Sequence, residues 1–231
     1  MRDVIIACDF SSKEETLKFL DQFTERKPFV KIGMDLFYAE GPEMVKEIKA
    51  RGHKIFLDLK LHDIPNTVGK AMKNVAKLGV DLTNVHAAGG VAMMEAAQKA
   101  INEVSPSTQL IAVTQLTSIS QEVLEEELWI DHPINETIQH YAKNAQKAGL
   151  AGVVCSPLEA GLVQEACGHD FITVTPGIRF ADDSKGDQKR VTTPLKAKEI
   201  GSHYIVVGRS ITGASDPVAA YNRCLKEFVE D

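Results

Sequence analysis

An α/β fold, eight parallel strands closed into a (β/α)8 TIM barrel, is what this sequence predicts, and three observations predict it. Short apolar runs rich in Val, Ile and Phe recur along the whole chain. Longer stretches of helical period separate them. The apolar runs are nearly continuous rather than alternating, as in strands of a parallel sheet buried on both faces. Eight such units fit into 231 residues as one domain over 1–231. An open doubly wound sheet is the alternative, and eight regular repeats disfavour it.

The strand candidates are 4–10, 29–37, 54–61, 82–89, 109–117, 152–157, 171–177 and 204–211. The helix candidates fall between them. SSKEETLKFLDQF (11–23) opens on Ser followed by acidic residues, which suits the positive end of a helix dipole. PEMVKEIKARG (42–52) has Pro42 in its first turn and Gly52 beyond its last, the usual asymmetry of helix ends. Further helical segments start at Asn66, Val91, Glu136, Leu158, Thr193 and Asp216. The acidic run Glu125–Glu127 reads as a solvated helical face, and Met93 and Met94 as core residues. Gly89 and Gly90 read as a tight turn.

Composition excludes several functions. With 26 Lys and Arg against 32 Asp and Glu, the net charge is −6, and no long basic block offers a grip on nucleic acid. An anionic ligand would need a local cationic site. No apolar run approaches the roughly 20 residues of a membrane span. The start, MRDVIIACDF, lacks the features of a signal peptide and runs straight into a strand. Cys8, Cys155, Cys167 and Cys224 are scattered without CxxC pairing, and Cys8 and Cys155 lie in apolar runs as small buried hydrophobes. A cytoplasmic protein with reduced thiols is the expectation.

The strand ends carry the polar residues: Asp9, Lys31, Asp58 with Lys60, His86, Thr117, Ser156, Thr175 with Gly177, and Gly208 with Arg209. In a barrel these ends form the face where ligands bind. Asp58 and Lys60 share strand parity, so both point to one side of strand three. Charges inside an apolar strand are costly unless paired, which makes the pair either a structural ion pair or a functional one. The stretch 175–194 is rich in Gly, Asp and Lys without periodicity, and a connection of that length is usually functional or disordered. No histidine spacing suits zinc, and no metal-ligand cluster or cofactor-binding motif is evident, so neither metal nor cofactor is expected.

The densest motif is FLDLKLHDIPNTV (56–68), with Asp58, Lys60 and Asp63 in a D-x-K-x-x-D arrangement. With IIACDF, FVKIGMDLFY, VHAAGG, VTQLTS, VCSP, VTPGIR and VVGRSIT in the same order, the chain resembles the bacterial orotidine monophosphate decarboxylase family over essentially its whole length. D-x-K-x-x-D alone is only moderately specific; the ordered set is highly specific. The resemblance implies decarboxylation of orotidine 5′-monophosphate to uridine 5′-monophosphate without a cofactor, in a homodimer. It implies a charge network of Lys31, Asp58, Lys60 and Asp63, with Lys60 as proton donor to C6. Asp63, Ile64 and Thr67 would reach the neighbouring subunit's site. Asp9 and Lys31 would hold the ribose hydroxyls, and Thr117 the pyrimidine. Pro176, Arg179, Gln188, Gly208 and Arg209 would complete the substrate contacts, with 175–194 a lid over the phosphate. Departures are small: Cys8 stands where Leu is frequent, and Ser210 where Pro is frequent.

The chemistry agrees with that implication. Loss of CO2 from C6 leaves an electron pair in the ring plane, out of reach of simple π delocalisation. Without an electron sink, catalysis rests on fixed electrostatics and a placed proton donor. Two other readings stay open: a Mg2+-dependent decarboxylase of β-keto sugar phosphates on the same barrel, and a nucleotide-binding barrel without turnover. His86 reads as a hydrogen-bonded histidine of the barrel wall, and His62 is assigned no chemistry.

Overall fold

The computed structural model describes residues 2–183 and 192–230. In chain order the elements are β1 (Asp3–Ala7), α1 (Lys13–Leu20), β2 (Phe29–Gly33), α2 (Met34–Glu40), α3 (Pro42–Ala50), β3 (Ile55–Leu61), α4 (Pro65–Ala76), β4 (Leu82–His86), α5 (Val91–Val104), β5 (Gln109–Val113), α6 (Gln121–Glu126), α7 (Ile134–Lys147), β6 (Gly152–Val154), α8 (Ala160–Cys167), β7 (Ile172–Thr175), α9 (Pro194–Ile200), β8 (Tyr204–Val207), α10 (Arg209–Thr212) and α11 (Pro217–Phe228). The strands pair in sequence order, all parallel, and β8 closes on β1. The expected (β/α)8 barrel is therefore the observed one.

Local chemistry places the helices. Ser12 caps α1 by accepting from the Glu15 N–H, and Glu14 and Glu15 sit in the first turn. Pro42 opens α3. Gly90, at φ 81°, starts α5 after a 3-10 turn at Ala87–Gly89, as a turn at these glycines requires. Glu125, Glu126 and Glu127 are exposed, and Met93 and Met94 are buried. Cys8 and Cys155 are fully buried free thiols.

Seven of the eight expected strands stop before their expected ends, and two of them run on into α-helices. Strand two stops at Gly33, and Met34–Glu40 turns into α2; strand eight stops at Val207, and Arg209–Thr212 turns into α10. In both places the apolar run continues into a helix, so hydrophobicity alone hides the boundary.

The core has two parts. The larger lies between the barrel wall and the helices; the smaller fills the barrel with Ile5, Ala7, Phe29, Phe56, Leu82, Ile111, Val174 and Val206. Burying each large side chain contributes roughly 1.5–3 kcal/mol. Because strand residues alternate in direction, the positions two further along repeat the inward face. Lys31 follows Phe29, Asp58 follows Phe56 and Asn84 follows Leu82. The apolar filling thus becomes a polar layer at the C-terminal mouth, where a barrel places its chemistry. Gly152 serves the wall itself: a Cβ there would meet the Ile172 carbonyl oxygen at 2.1 Å.

Candidate active site

Four charges alternate across the first three strands. Lys31 Nζ lies 2.9 Å from Asp9 Oδ1 and 3.7 Å from Asp58 Oδ2. Lys60 Nζ lies 2.8 Å from Asp58 Oδ1. Burial works against the Lys31 charge, but Asp9 and Asp58 outweigh it and raise its pKa above the ordinary lysine value. Burial likewise opposes ionised Asp58, yet Lys31, Lys60 and a hydrogen bond from Asn84 hold its carboxyl below the usual range. Asp58 is thus a preformed anion between two cations. Nearby, burial pushes the Cys8 thiol up to about 12, so it stays protonated beside the network.

Strand three reaches this arrangement through an irregularity. Leu57 pairs with Thr83 of β4, and the next pair is Leu61 with Val85. Asp58, Leu59 and Lys60 therefore bulge opposite the single residue Asn84. Lys60 sits at φ 51°, a left-handed conformation that costs a side-chain-bearing residue about 1–3 kcal/mol. Asp58 and Lys60 do meet on one face, but by a bulge rather than by regular alternation.

Two adjoining cavities open at the mouth and share Lys31, Pro176 and Val206. One, of 280 Å³, has apolar walls of Phe56, Val113 and Val154, with Asp58, Lys60 and Thr117 among its polar groups. The other, of 360 Å³, is lined by Asp9, Lys31, Arg179 and Arg209 around Gly177 and Gly208. Arg179 is nearly buried; burial and then the Arg209 guanidinium lower its pKa from the usual arginine value. Two guanidinium groups brought this close favour an anion between them. Gly177, at φ 86°, makes the turn out of β7. At Gly208 a Cβ would meet only the Ala7 Cβ at 3.8 Å, so the protein's own packing does not demand glycine there. The missing side chain leaves room in the cavity.

The structure thus brings together Asp9, Lys31, Asp58, Lys60, Thr117, Pro176, Arg179, Gly208 and Arg209. It leaves Asp63, Ile64 and Thr67 outside both cavities of this chain, all three exposed at the start of α4. Gln188 lies outside the described residues, as does much of the stretch expected to form a lid. Ser156 and Thr175 turn out to be structural. Ser156 caps a 3-10 turn with Glu159, and the Thr175 hydroxyl donates to Ser202 Oγ. The expectation for His86 needs correction. Its ring packs at 5.6 Å from that of His62, and no hydrogen bond to it occurs among the described residues. Burial, and then His62, lower the His86 pKa.

Sequence reading missed Asn84 and Gln115. Gln115 lines the smaller cavity, and Asn84 touches both Asp58 and the Lys60 backbone. A signal for Asn84 existed: a lone amide at an inward position of an apolar strand. Among the described residues, no group of three or more His, Cys, Asp or Glu side chains is disposed to hold a metal ion, and no helix is long and apolar enough to cross a membrane.

Fold and site together define a class: parallel barrels whose mouth joins an arginine-lined lobe, suited to a phosphate, to an apolar lobe with a charge pair at its floor. Comparison with known proteins narrows the class. The orotidine 5′-phosphate decarboxylase / HUMPS family matches residues 2–224, and the chain belongs to that family. It is 57% identical over 228 residues to the orotidine 5′-phosphate decarboxylase of Geobacillus thermodenitrificans (strain NG80-2), covering 97% of this chain and 95% of that protein. The enzyme of the same name from Staphylococcus aureus (strain Newman) is 56% identical over 230 residues, covering 99% and 100%. Among solved structures, orotidine 5′-phosphate decarboxylase from Lactobacillus acidophilus superposes with a TM-score of 0.90 at 46% identity, covering 99% of this chain and 100% of that one.

Proposed function

We propose that this chain is an enzyme that decarboxylates orotidine 5′-monophosphate to uridine 5′-monophosphate, the step that completes a pyrimidine nucleotide. The observation that carries the reading is Asp58 held between Lys31 and Lys60 at the floor of a cup that ends in two arginines. The phosphate would sit between Arg179 and Arg209, with Gln188 closing over it. The ribose would lie at Asp9 and Lys31, and the pyrimidine would enter the apolar lobe beside Thr117 and Pro176.

In that pose the C6 carboxylate faces Asp58. The C6–carboxylate bond breaks, CO2 departs, and the electron pair stays on C6. The Lys60 ammonium stabilises that charge and then delivers a proton to C6, leaving a neutral amine that solvent reprotonates. No cofactor takes part in this scheme. Binding energy from the remote phosphate would be spent on organising the reacting centre.

The working form would be a homodimer. Asp63, Ile64 and Thr67 project from the mouth, with Ile64 65% exposed and Tyr38 of α2 70% exposed. Exposed apolar residues of that size at a functional rim suit a protein interface. Asp63 would then complete the partner's charge network. A cytoplasmic location and a single domain over 1–231 belong to the same reading.

Changing Lys60 to Ala tests the proton donor. Turnover should fall by about 10⁴-fold, near the upper end for a general acid, while uridine 5′-monophosphate still binds. Turnover near the parent rate would remove Lys60 from that role.

A further inference from the structure

We infer that Asn84 is a positioning residue of the site, a side chain that fixes Asp58 and Lys60 relative to each other; this deepens, and rests on, the catalytic reading of that pair. The geometry comes from the bulge. Three residues of β3 face one residue of β4, so the regular ladder cannot satisfy the backbone there. Asn84 substitutes for it. Its Oδ1 accepts the Lys60 backbone N–H at 2.8 Å, and its Nδ2 donates to Asp58 Oδ1 at 2.7 Å. The two partners settle which way the amide points, since an N–H requires the oxygen and a carboxylate requires the nitrogen.

Asn84 is completely buried, so water cannot take over either bond. One bond holds Lys60 in its left-handed conformation. The other sets the Asp58 oxygen that also receives the Lys60 ammonium. A single amide thereby couples a strained backbone to the carboxylate beside it. Such coupling matters because misplacing a catalytic group by about 1 Å can cost roughly 10²-fold in rate.

Two variants test this. Asn84→Leu keeps the branched shape and removes both bonds; turnover should fall about 10²-fold. Affinity for uridine 5′-monophosphate, held by the phosphate lobe, should change less than about threefold, since that lobe is 'remote' binding energy. Asn84→Asp keeps the acceptor for Lys60 but sets a carboxylate against Asp58. Its turnover should recover as pH falls, when a proton on the new carboxyl restores the donor. Lys31 on β2, Lys60 on β3, Asp9 and Cys8 beyond β1, and His86 with His62 are the titratable groups around Asp58. All are common to parent and variant, so the difference between the two pH profiles isolates position 84.

If Asn84→Leu does not fold, Asn84→Asp carries the test, and thermal unfolding of both establishes which case holds. Should Asn84→Asp match the parent profile while Lys60→Ala is inactive, the positioning role is overturned and the catalytic reading stands. Should Lys60→Ala turn over like the parent, the catalytic reading itself falls.

Discussion

The two lobes of the mouth are built on opposite electrostatic plans. In the apolar lobe each charge already has an opposite partner in the chain, from Lys31 through Asp58 to Lys60. In the other lobe two guanidinium groups converge, and burial and then Arg209 lower the Arg179 pKa. The first plan is preorganised and needs little rearrangement when charge develops. The second gains most when an anion arrives. Rigid strands carry the first, whereas Arg179 and Arg209 follow the ends of β7 and β8. Chemistry and affinity are thereby assigned to different parts of one cup.

That division can be broken deliberately. On the phosphate side the largest effect should come from Arg209→Ala, which removes one arm of the phosphate fork. We expect kcat/KM to fall about 10³-fold, within the range for truncating a charged pair, with inorganic phosphate or uridine 5′-monophosphate affinity falling in step. A loss confined to kcat, with nucleotide affinity intact, would merge the two lobes into one function.

A smaller effect sharpens the boundary between chains. Asp63→Ala and Lys60→Ala subunits, each nearly inactive alone, should regain part of the parent activity when mixed, because a hybrid dimer holds one site with both residues. Subunit exchange is followed by mass spectrometry, and exchange without recovery would remove Asp63 from the neighbouring site.

The smallest effect is on stability in acid. The Asp58 carboxyl is held below its ordinary value in the folded chain, so the stability it contributes is present above the unfolded pKa of about 3.9 and is lost as pH falls through the folded one. Below about pH 4 the Tm of the parent should therefore drop more steeply than that of Asp58→Asn. Parallel slopes would mean that the ion pairs leave Asp58 unshifted.

Much of this was legible in the sequence, and the exceptions share a cause. All eight strands announced themselves as apolar runs, and the inward charges stood out because charge inside such a run is costly. Their ends were less legible where apolar residues continue into α2 and α10. The bulge at Asp58–Lys60 left no mark, because regular alternation would also place both side chains on one face. Asn84 was passed over because its partners lie 24 and 26 residues away. A lone amide acquires meaning only when the opposing strand is in place. The exposed position of Asp63 was equally silent, since a single chain does not contain the site it is expected to serve.

The central claim is that this cup turns over orotidine 5′-monophosphate through its own charges. The most direct measurement follows ultraviolet absorbance of that nucleotide with purified protein in excess EDTA. Loss of the orotate chromophore, with uridine 5′-monophosphate recovered as product, is the expected result. Unchanged absorbance from folded, dimeric protein, or turnover that appears only when Mg2+ is restored, would contradict the account.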